Sequence, residues 1–426
     1  MHARMLEVIK HVRQFKLLAS IAAASVLAAC GGGGSGQALV PGTPSQGTPT
    51  SIGSNNGANS AAVMSTAVSG GSNYQSVCSD RTPNEATCYA LVRTDVDGGA
   101  LSPTHDLAQN AAATPSGFGP SQLRSAYNLT SLSTSKGSGQ TVALVEVGDY
   151  ATAEADLAVY RNEYGIPACT TANGCFKKVG QTGTSTLPAP YPGWAQETAL
   201  DMDMVSAICP NCHILIVEAD KAGTDADLNA AENTAASLGA TEISNSYGGP
   251  ENAAGDGAYN HTGVIITASS GDSGPGVSQP CSYPKVVCTG GTTLKKASNA
   301  RGWTETIWAD AGGGCSAKVA KPSWESSYTA CKRRVVPDTS FDSNPNTGVA
   351  VYDSTPSGGS SGWMVFGGTS VASPAIASVY ALAGNAKSLN ASQSIWQNAG
   401  SSNLYEIGGG YSTYAGWGTP DGVGAF

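Results

Sequence analysis

The stretch TVALVEVGDYATAEADLAVYRNEYG, residues 141–165, decides the fold class. Its opening TVALVEVG (141–148) is a short, nearly continuous apolar run, the pattern of a strand buried on both faces. AEADLAVYRNEYG (153–165) then reads as a helix, closed by Gly165 and Pro167. The same alternation continues outward. ETALDMDMVSAI (197–208) reads as a helix, HILIVEA (213–219) as a strand, and DADLNAAENTAASLG (225–239) as a helix ending at Gly239. TEISNSYG (241–248) and GVIITAS (263–269) read as strands. TSVASPAIASVYALAG (369–384) reads as a helix with Pro374 in its first turns. Apolar strands separated by helices of this length predict an α/β domain of three layers, a mostly parallel sheet covered on both faces. In such sheets ligands bind at the carboxyl ends of the strands.

Composition bounds the rest. Charged residues make up 12% of the 426, about half the roughly 25% usual in soluble proteins. With 22 Lys and Arg against 31 Asp and Glu, a large basic footprint for nucleic acid is not expected. Residues 1–29 carry basic residues up to Lys16 and then an apolar run from Leu17 to Ala29, too short to span a bilayer and suited to a secretory signal. The run ends in Leu27-Ala28-Ala29-Cys30, which is similar to a bacterial lipobox, and GGGGSG follows. The resemblance implies acylation of Cys30, a lipid anchor, and placement at the outer membrane or cell surface, or release to the medium. Residues 30–75 read as a Gly/Ser-rich disordered tether, 76–115 as a small N-terminal extension, and 116–426 as the main domain. Eleven cysteines less Cys30 leave ten. They lie as close neighbours: Cys78/Cys88, Cys169/Cys175, Cys209/Cys212, Cys281/Cys288 and Cys315/Cys331. Five local disulfides of an oxidising compartment are the simplest reading. A redox or zinc half-site at Cys209-Pro-Asn-Cys212 has no second pair at metal spacing to support it.

Three segments carry chemistry. Gly367-Gly368-Thr369-Ser370-Val371-Ala372-Ser373-Pro374 leads a small-residue turn into a helix. Free N–H groups at a helix start stabilise negative charge developing beside Ser370, although a Thr or Ser here also serves as a plain cap. In Trp194-Ala195-Gln196-Glu197-Thr198-Ala199-Leu200-Asp201, Glu197 and Asp201 are four residues apart on one helix face. Two carboxyls that close raise one another's pKa and titrate as a pair. The helix also carries Met202, Met204, Val205 and Ile208, and no Lys or Arg lies between 195 and 220. Finally, Ala268-Ser269-Ser270-Gly271-Asp272-Ser273-Gly274 follows a strand directly, where an Asp is well placed for a site and is also a common turn residue.

The G-T-S-x-x-x-P match at Gly368–Pro374 resembles the nucleophile segment of subtilisin-like serine peptidases. A His base is missing: beyond the signal only His105, His213 and His261 remain, and none has the small-residue helical context required. Glu197, Asp201, Asp272 and Ser370 in this order resemble the sedolisin family of serine-carboxyl peptidases, which keep the subtilisin-like fold. LRSAYNL, ISNSYGG, GGTTL and PSW are similar to stretches of bacterial members. The resemblance implies Ser370 as nucleophile, Glu197 as general base, Asp201 orienting Glu197 and sharing its proton, and a protonated Asp272 as oxyanion donor. It implies hydrolysis of protein or peptide substrates, and the need for a base of raised pKa and a neutral Asp272 points to acid pH. A monomer is expected, and the charge balance argues against a nucleic-acid partner. The resemblance also implies a C-terminal calcium loop. The equivalent region, Leu404 to Thr413, departs from the family pattern, with Glu406 for the first Asp and Ser412 for the second. Glu406, Ile407, Gly408 and Gly410 are the ligand candidates. No other cofactor is implied. The alternative is a different class of function, a catalytically silent surface binding protein on a peptidase scaffold, which loss of any one of the four site residues would favour and the intact set argues against. An esterase requires G-x-S-x-G, which the Ser370 segment does not fit.

Overall fold

The computed structural model describes residues 73–78, 85–96, 115–220, 222–251 and 257–426, all within the unit Thr66–Phe426. The signal segment, Cys30, His105 and most of the tether lie outside the described residues.

Strand β4 (Thr141–Val147) sits at the middle of the main sheet. It pairs in parallel with β6 (His213–Ala219) on one side and β7 (Glu242–Asn245) on the other. β5 (Phe176–Gly180) extends the sheet beyond β6. β9 (Ile265–Ser269), then β11 (Val286–Lys296), extend it beyond β7, all in parallel. β15 (Thr339–Asp342) adds in parallel to β11, while β12 (Trp303–Ile307) is the antiparallel edge. The parallel interior matches the expectation from its apolar runs.

The helices are α1 (Pro120–Ala126), α2 (Thr130–Ser135), α3 (Ala153–Glu163), α4 (Pro192–Ile208), α5 (Asp225–Ser237), α6 (Ala372–Ala383) and α7 (Ala391–Gln397). Strand alternation divides the core between the two faces of the sheet. Val142, Leu144, Ile214 and Ile216 face the cluster that holds α4 and α6. Ala143, Val145, Leu215 and Val217 face Leu228, Ala231 and Ala235 of α5. The sheet is therefore covered on both sides, the subtilisin-like three-layer arrangement.

Three boundaries differ from the sequence pattern. α4 begins at Pro192, five residues before Glu197, because proline is pre-set for a first helical position. The stretch 241–248 is two strands, β7 and β8 (Tyr247–Pro250). The break falls at Ser246, whose hydroxyl donates to Asp201, and β8 then turns to pair with β10 (Ser278–Gln279). α6 starts at Ala372 rather than Thr369, because the Thr369 N–H and hydroxyl both donate to Asp272. It ends on Gly384 in the left-handed region, φ 68°.

The described part of the N-terminal extension is woven into this body. β1 (Tyr74–Ser76) pairs with β3 (Leu91–Arg93), and β3 with β17 (Ser360–Gly367), whose other neighbour is β16 (Val349–Ser357). β2 (Thr87–Cys88) pairs with β8. β13 (Gly314–Ala320) pairs with β14 (Arg333–Val336). All five neighbouring cysteine pairs are disulfides: Cys78–Cys88, Cys169–Cys175, Cys209–Cys212, Cys281–Cys288 and Cys315–Cys331.

Candidate active site

β17 delivers the chain to Gly367, and the turn Gly368–Val371 brings Ser370 beneath the carboxyl ends of β7 and β9. Gly368 has φ +94°, and a Cβ there would lie 2.0 Å from the Tyr89 carbonyl oxygen and 2.6 Å from Asp272 Oδ2. Only glycine satisfies both the backbone and the space. Ser370 is buried. Its hydroxyl donates to the Ser246 carbonyl at 3.2 Å, and its N–H points at the Tyr89 carbonyl at 3.4 Å. Below it, the Ser373 and Ser244 hydroxyls meet at 2.8 Å and fasten α6 to β7.

The acids come from α4. Glu197 and Asp201 are both fully buried. Asp201 accepts from the Ser246 hydroxyl at 2.8 Å on each oxygen. Burial pushes Glu197 well above the usual carboxylate range, and Asp201 beside it adds to the rise. The Ser370 hydroxyl and the Ala90 N–H pull in the other direction. Burial also raises Asp201 well above its ordinary value, opposed by Ser246 and by contacts with Glu146 and Glu197. Carboxyl oxygens in contact need a proton between them, so the acids titrate together.

Glu146 is a third member that no motif marks. It lies on β4, on the same side as Val142 and Leu144, and so faces α4. It is fully buried, and among the described residues no donor meets either oxygen in hydrogen-bonding geometry. Burial first, then Asp201 and Glu197, raise its pKa well above the carboxylate range. The sign of it in the sequence is a lone acid inside an otherwise apolar central strand, where an unpaired charge is too costly to be incidental.

Asp272 follows β9. Its Oδ1 accepts from the Thr369 N–H and hydroxyl, both at 2.8 Å, and Oδ2 has no hydrogen-bond partner among the described residues. Burial pushes its pKa up to about 7, against the lowering pull of those two bonds. The held oxygen leaves the other one to carry a proton and donate it. The four residues marked in the sequence thus converge on one buried centre. His213 opens β6 and is exposed, well away from that role.

No family model matches the chain. Over 369 residues it is 27% identical to sedolisin of Pseudomonas sp. (strain 101), covering 74% of this chain and 60% of the relative. Over 349 residues it is 26% identical to xanthomonalisin of Xanthomonas sp. (strain T-22), covering 66% of this chain and 40% of the relative. Among solved structures it is similar to Pseudomonas sedolisin, described as a serine-carboxyl proteinase, bound to two molecules of pseudo-iodotyrostatin. That likeness has a TM-score of 0.62 at 25% identity, over 72% of this chain and 96% of that one. The chain is similar to the sedolisin family in sequence and in fold. It spans 60% and 40% of the lengths of the two curated relatives.

One sedolisin-family expectation does not fit the residues present. Calcium takes six or more oxygens, several of them carboxylates. The loop after β18 (Leu404–Tyr405) offers one carboxylate, Glu406, and the Ser412 hydroxyl accepts from Tyr414 N at 3.1 Å to close a turn. Among the described residues no group of three or more His, Cys, Asp or Glu is arranged to hold a metal.

Proposed function

We propose that the chain is an exported serine-carboxyl endopeptidase that hydrolyses peptide bonds of proteins at acid pH. The observation that carries this reading is the line of buried carboxyls, Glu146, Asp201 and Glu197, ending at the Ser370 hydroxyl. Ser370 attacks the substrate carbonyl and Glu197 takes its proton. A carboxylate of ordinary pKa is too weak a base for a hydroxyl, and burial beside two other acids corrects that. Asp201 holds Glu197 and shares its proton. Asp272 donates from Oδ2 to the oxyanion, joined by the Ser370 N–H. Because Asp272 donates only when protonated, with a pKa of about 7, activity belongs on the acid side.

Export through the signal segment and anchoring at acylated Cys30 complete the reading. They rest on the lipobox and on five disulfides suited to an oxidising compartment. The decisive experiment is casein hydrolysis across pH for the intact chain and for Ser370→Ala. Activity confined to acid pH and absent from the variant supports the proposal. A maximum above about pH 8 refutes the carboxyl mechanism. For the anchor, Cys30→Ser should leave the detergent phase for the aqueous one, and unchanged partition refutes acylation.

A further inference from the structure

Residues 87–92 lie across Ser370 as an extended peptide, and so reveal what the cleft offers to the side chains of one. Upstream, Thr87 and Cys88 pair antiparallel with Gly248 and Tyr247 of β8, and the Tyr89 N–H donates to the Ser246 carbonyl at 3.1 Å. Downstream, Leu91 and Val92 pair antiparallel with Gly367 and Phe366 of β17, the strand that ends in the nucleophile turn. The Tyr89 carbonyl oxygen receives the Ser370 N–H at 3.4 Å, which sets the register. Ala90 stands in the first position beyond the bond that faces Ser370, and Leu91 in the second. Main-chain bonds of this kind hold any sequence, and pockets for alternate side chains select among sequences.

The two downstream positions meet different surroundings, because successive side chains of a strand point to opposite faces. Ala90 and Val92 turn into the cluster that holds α4 and α6, where Ala90 is completely buried. Closely packed core around a methyl group leaves no room for a larger side chain. Leu91 turns the other way, against Trp308 and Ala311, with Tyr74 and Tyr414 at the edges, and is only 9% exposed. This wall is held in place from several sides. The Trp308 N–H donates to the Gly291 carbonyl at 3.2 Å, and its ring lies over Gly291, where a Cβ would come within 2.6 Å of it. The Ala311 N–H donates to the Trp308 carbonyl at 3.2 Å. The Gly312 N–H donates to the Gly271 carbonyl and the Gly274 N–H to the Asp310 carbonyl, both at 2.7 Å. The wall is thereby fastened to the turn that carries Asp272, and stands in a fixed place relative to the reacting bond.

We infer that Trp308 and Ala311 form a specificity pocket on the leaving-group side of the cleft, selecting substrates whose first residue after the cut bond is small and whose second is a branched aliphatic. The inference rests on the peptidase reading above. Trp308, Ala311 and Tyr414 all belong to the catalytic body, so an outside peptide in the place of residues 87–92 meets the same groups. A leucine side chain exchanges water for an indole and a methyl group there. An aspartate or lysine sheds its water against the same surface and gains nothing in return.

The test uses the full chain at about pH 4, where the carboxyl-based site is competent. The substrates are peptides Thr-Ser-Tyr-Ala-Xaa-Val-Arg with Leu, Ala, Asp or Lys at Xaa, and mass spectrometry identifies the bond cut. kcat/KM with Leu at Xaa should exceed that with Ala by about tenfold, and that with Asp or Lys by more. Replacing the Ala before Xaa by Leu should cost at least about tenfold. Ala311→Leu fills the pocket and should reverse the order, with Ala at Xaa cut faster than Leu. Trp308→Ala should bring the Leu-to-Ala ratio below about threefold. Each ratio is taken within one preparation, so a loss of folded protein cancels, as does any share of the cleft filled by residues 87–92. Equal kcat/KM for Leu, Ala and Asp, a Leu preference that survives in both variants, or casein cut while every peptide stays whole overturns the inference and leaves the peptidase reading standing. A chain that cuts neither casein nor any peptide overturns both.

Discussion

Replacing Asp272 by Asn separates a carboxyl oxyanion donor from any other role for this residue. Oδ1 accepts two bonds from Thr369 and Oδ2 has none. An amide therefore fits in one orientation, with its carbonyl on Thr369 and its NH2 where the proton of Oδ2 would be. With a pKa of about 7, nearly every Asp272 is protonated at about pH 4, half at about pH 7 and about one in ten at about pH 8. The amide of the variant donates throughout. The ratio of the Asp272→Asn rate to the unmodified rate should therefore climb about fivefold between pH 7 and pH 8. Asp272→Ala lacks the donor and should lose about 10²–10³ in turnover, or about 3–4 kcal/mol, at acid pH. The assay is turnover number on a peptide substrate from about pH 3 to about pH 8, each variant checked for native circular dichroism. If Asp272→Asn and the unmodified chain fall along the same curve, or if Asp272→Ala keeps full turnover, the donor role is refuted.

Glu146→Gln should move the acid limb of the pH–rate profile to lower pH, since its amide donates to Asp201 at every pH and favours the charged form of the pair, whereas Glu146 can donate only when protonated. An unmoved profile would make Glu146 merely structural. Arg334, buried with Glu325 and Asp338 in ion pairs, is the reverse case. Arg334→Met leaves two buried acids uncompensated and should cost about 3–5 kcal/mol in denaturant unfolding, and a loss under about 1 kcal/mol would contradict the pairing. Stability should also fall as pH rises. Burial raises Asp272, Asp353 and Glu218 to about 7 and Glu242 to about 8. In the unfolded chain these groups release protons near pH 4. Between about pH 4 and about pH 7 the folded state thus holds more protons than the unfolded state, so unfolding becomes easier with each unit. The melting temperature should drop by at least about 5 °C over that window, and a rise would refute the assignment.

Much of the site was legible because its residues sit in local patterns. The spacing of Glu197 and Asp201 places both on one helix face whatever the fold around them. The turn before α6 is set by small residues, and Asp272 falls directly after an apolar strand. Glu146 was hidden because it looks like one more position of β4, and its role comes only from which face of the sheet meets α4. The path of residues 85–93 was illegible for a different reason. Its partners, Tyr247, Gly248, Phe366 and Gly367, lie more than a hundred residues away, and strand register over such distances leaves no local trace. The bend at Ser246 likewise follows from a bond to Asp201, which the alternation of 241–248 does not reveal.

The nucleophile stands between two sheet edges, β8 and β17, which hold their occupant by main-chain hydrogen bonds. Such a cleft tests shape before identity. To lie in it, about six residues must be drawn out straight over roughly 20 Å, something a folded domain permits only where its chain is already loose. If the proposed acid activity holds, acidity acts on both molecules at once, since conditions that arm the carboxyls of the site also protonate the carboxylates that hold a folded substrate together. On the proposed peptidase reading, such a cleft admits slackened chains, and the folded state of a protein is itself protection.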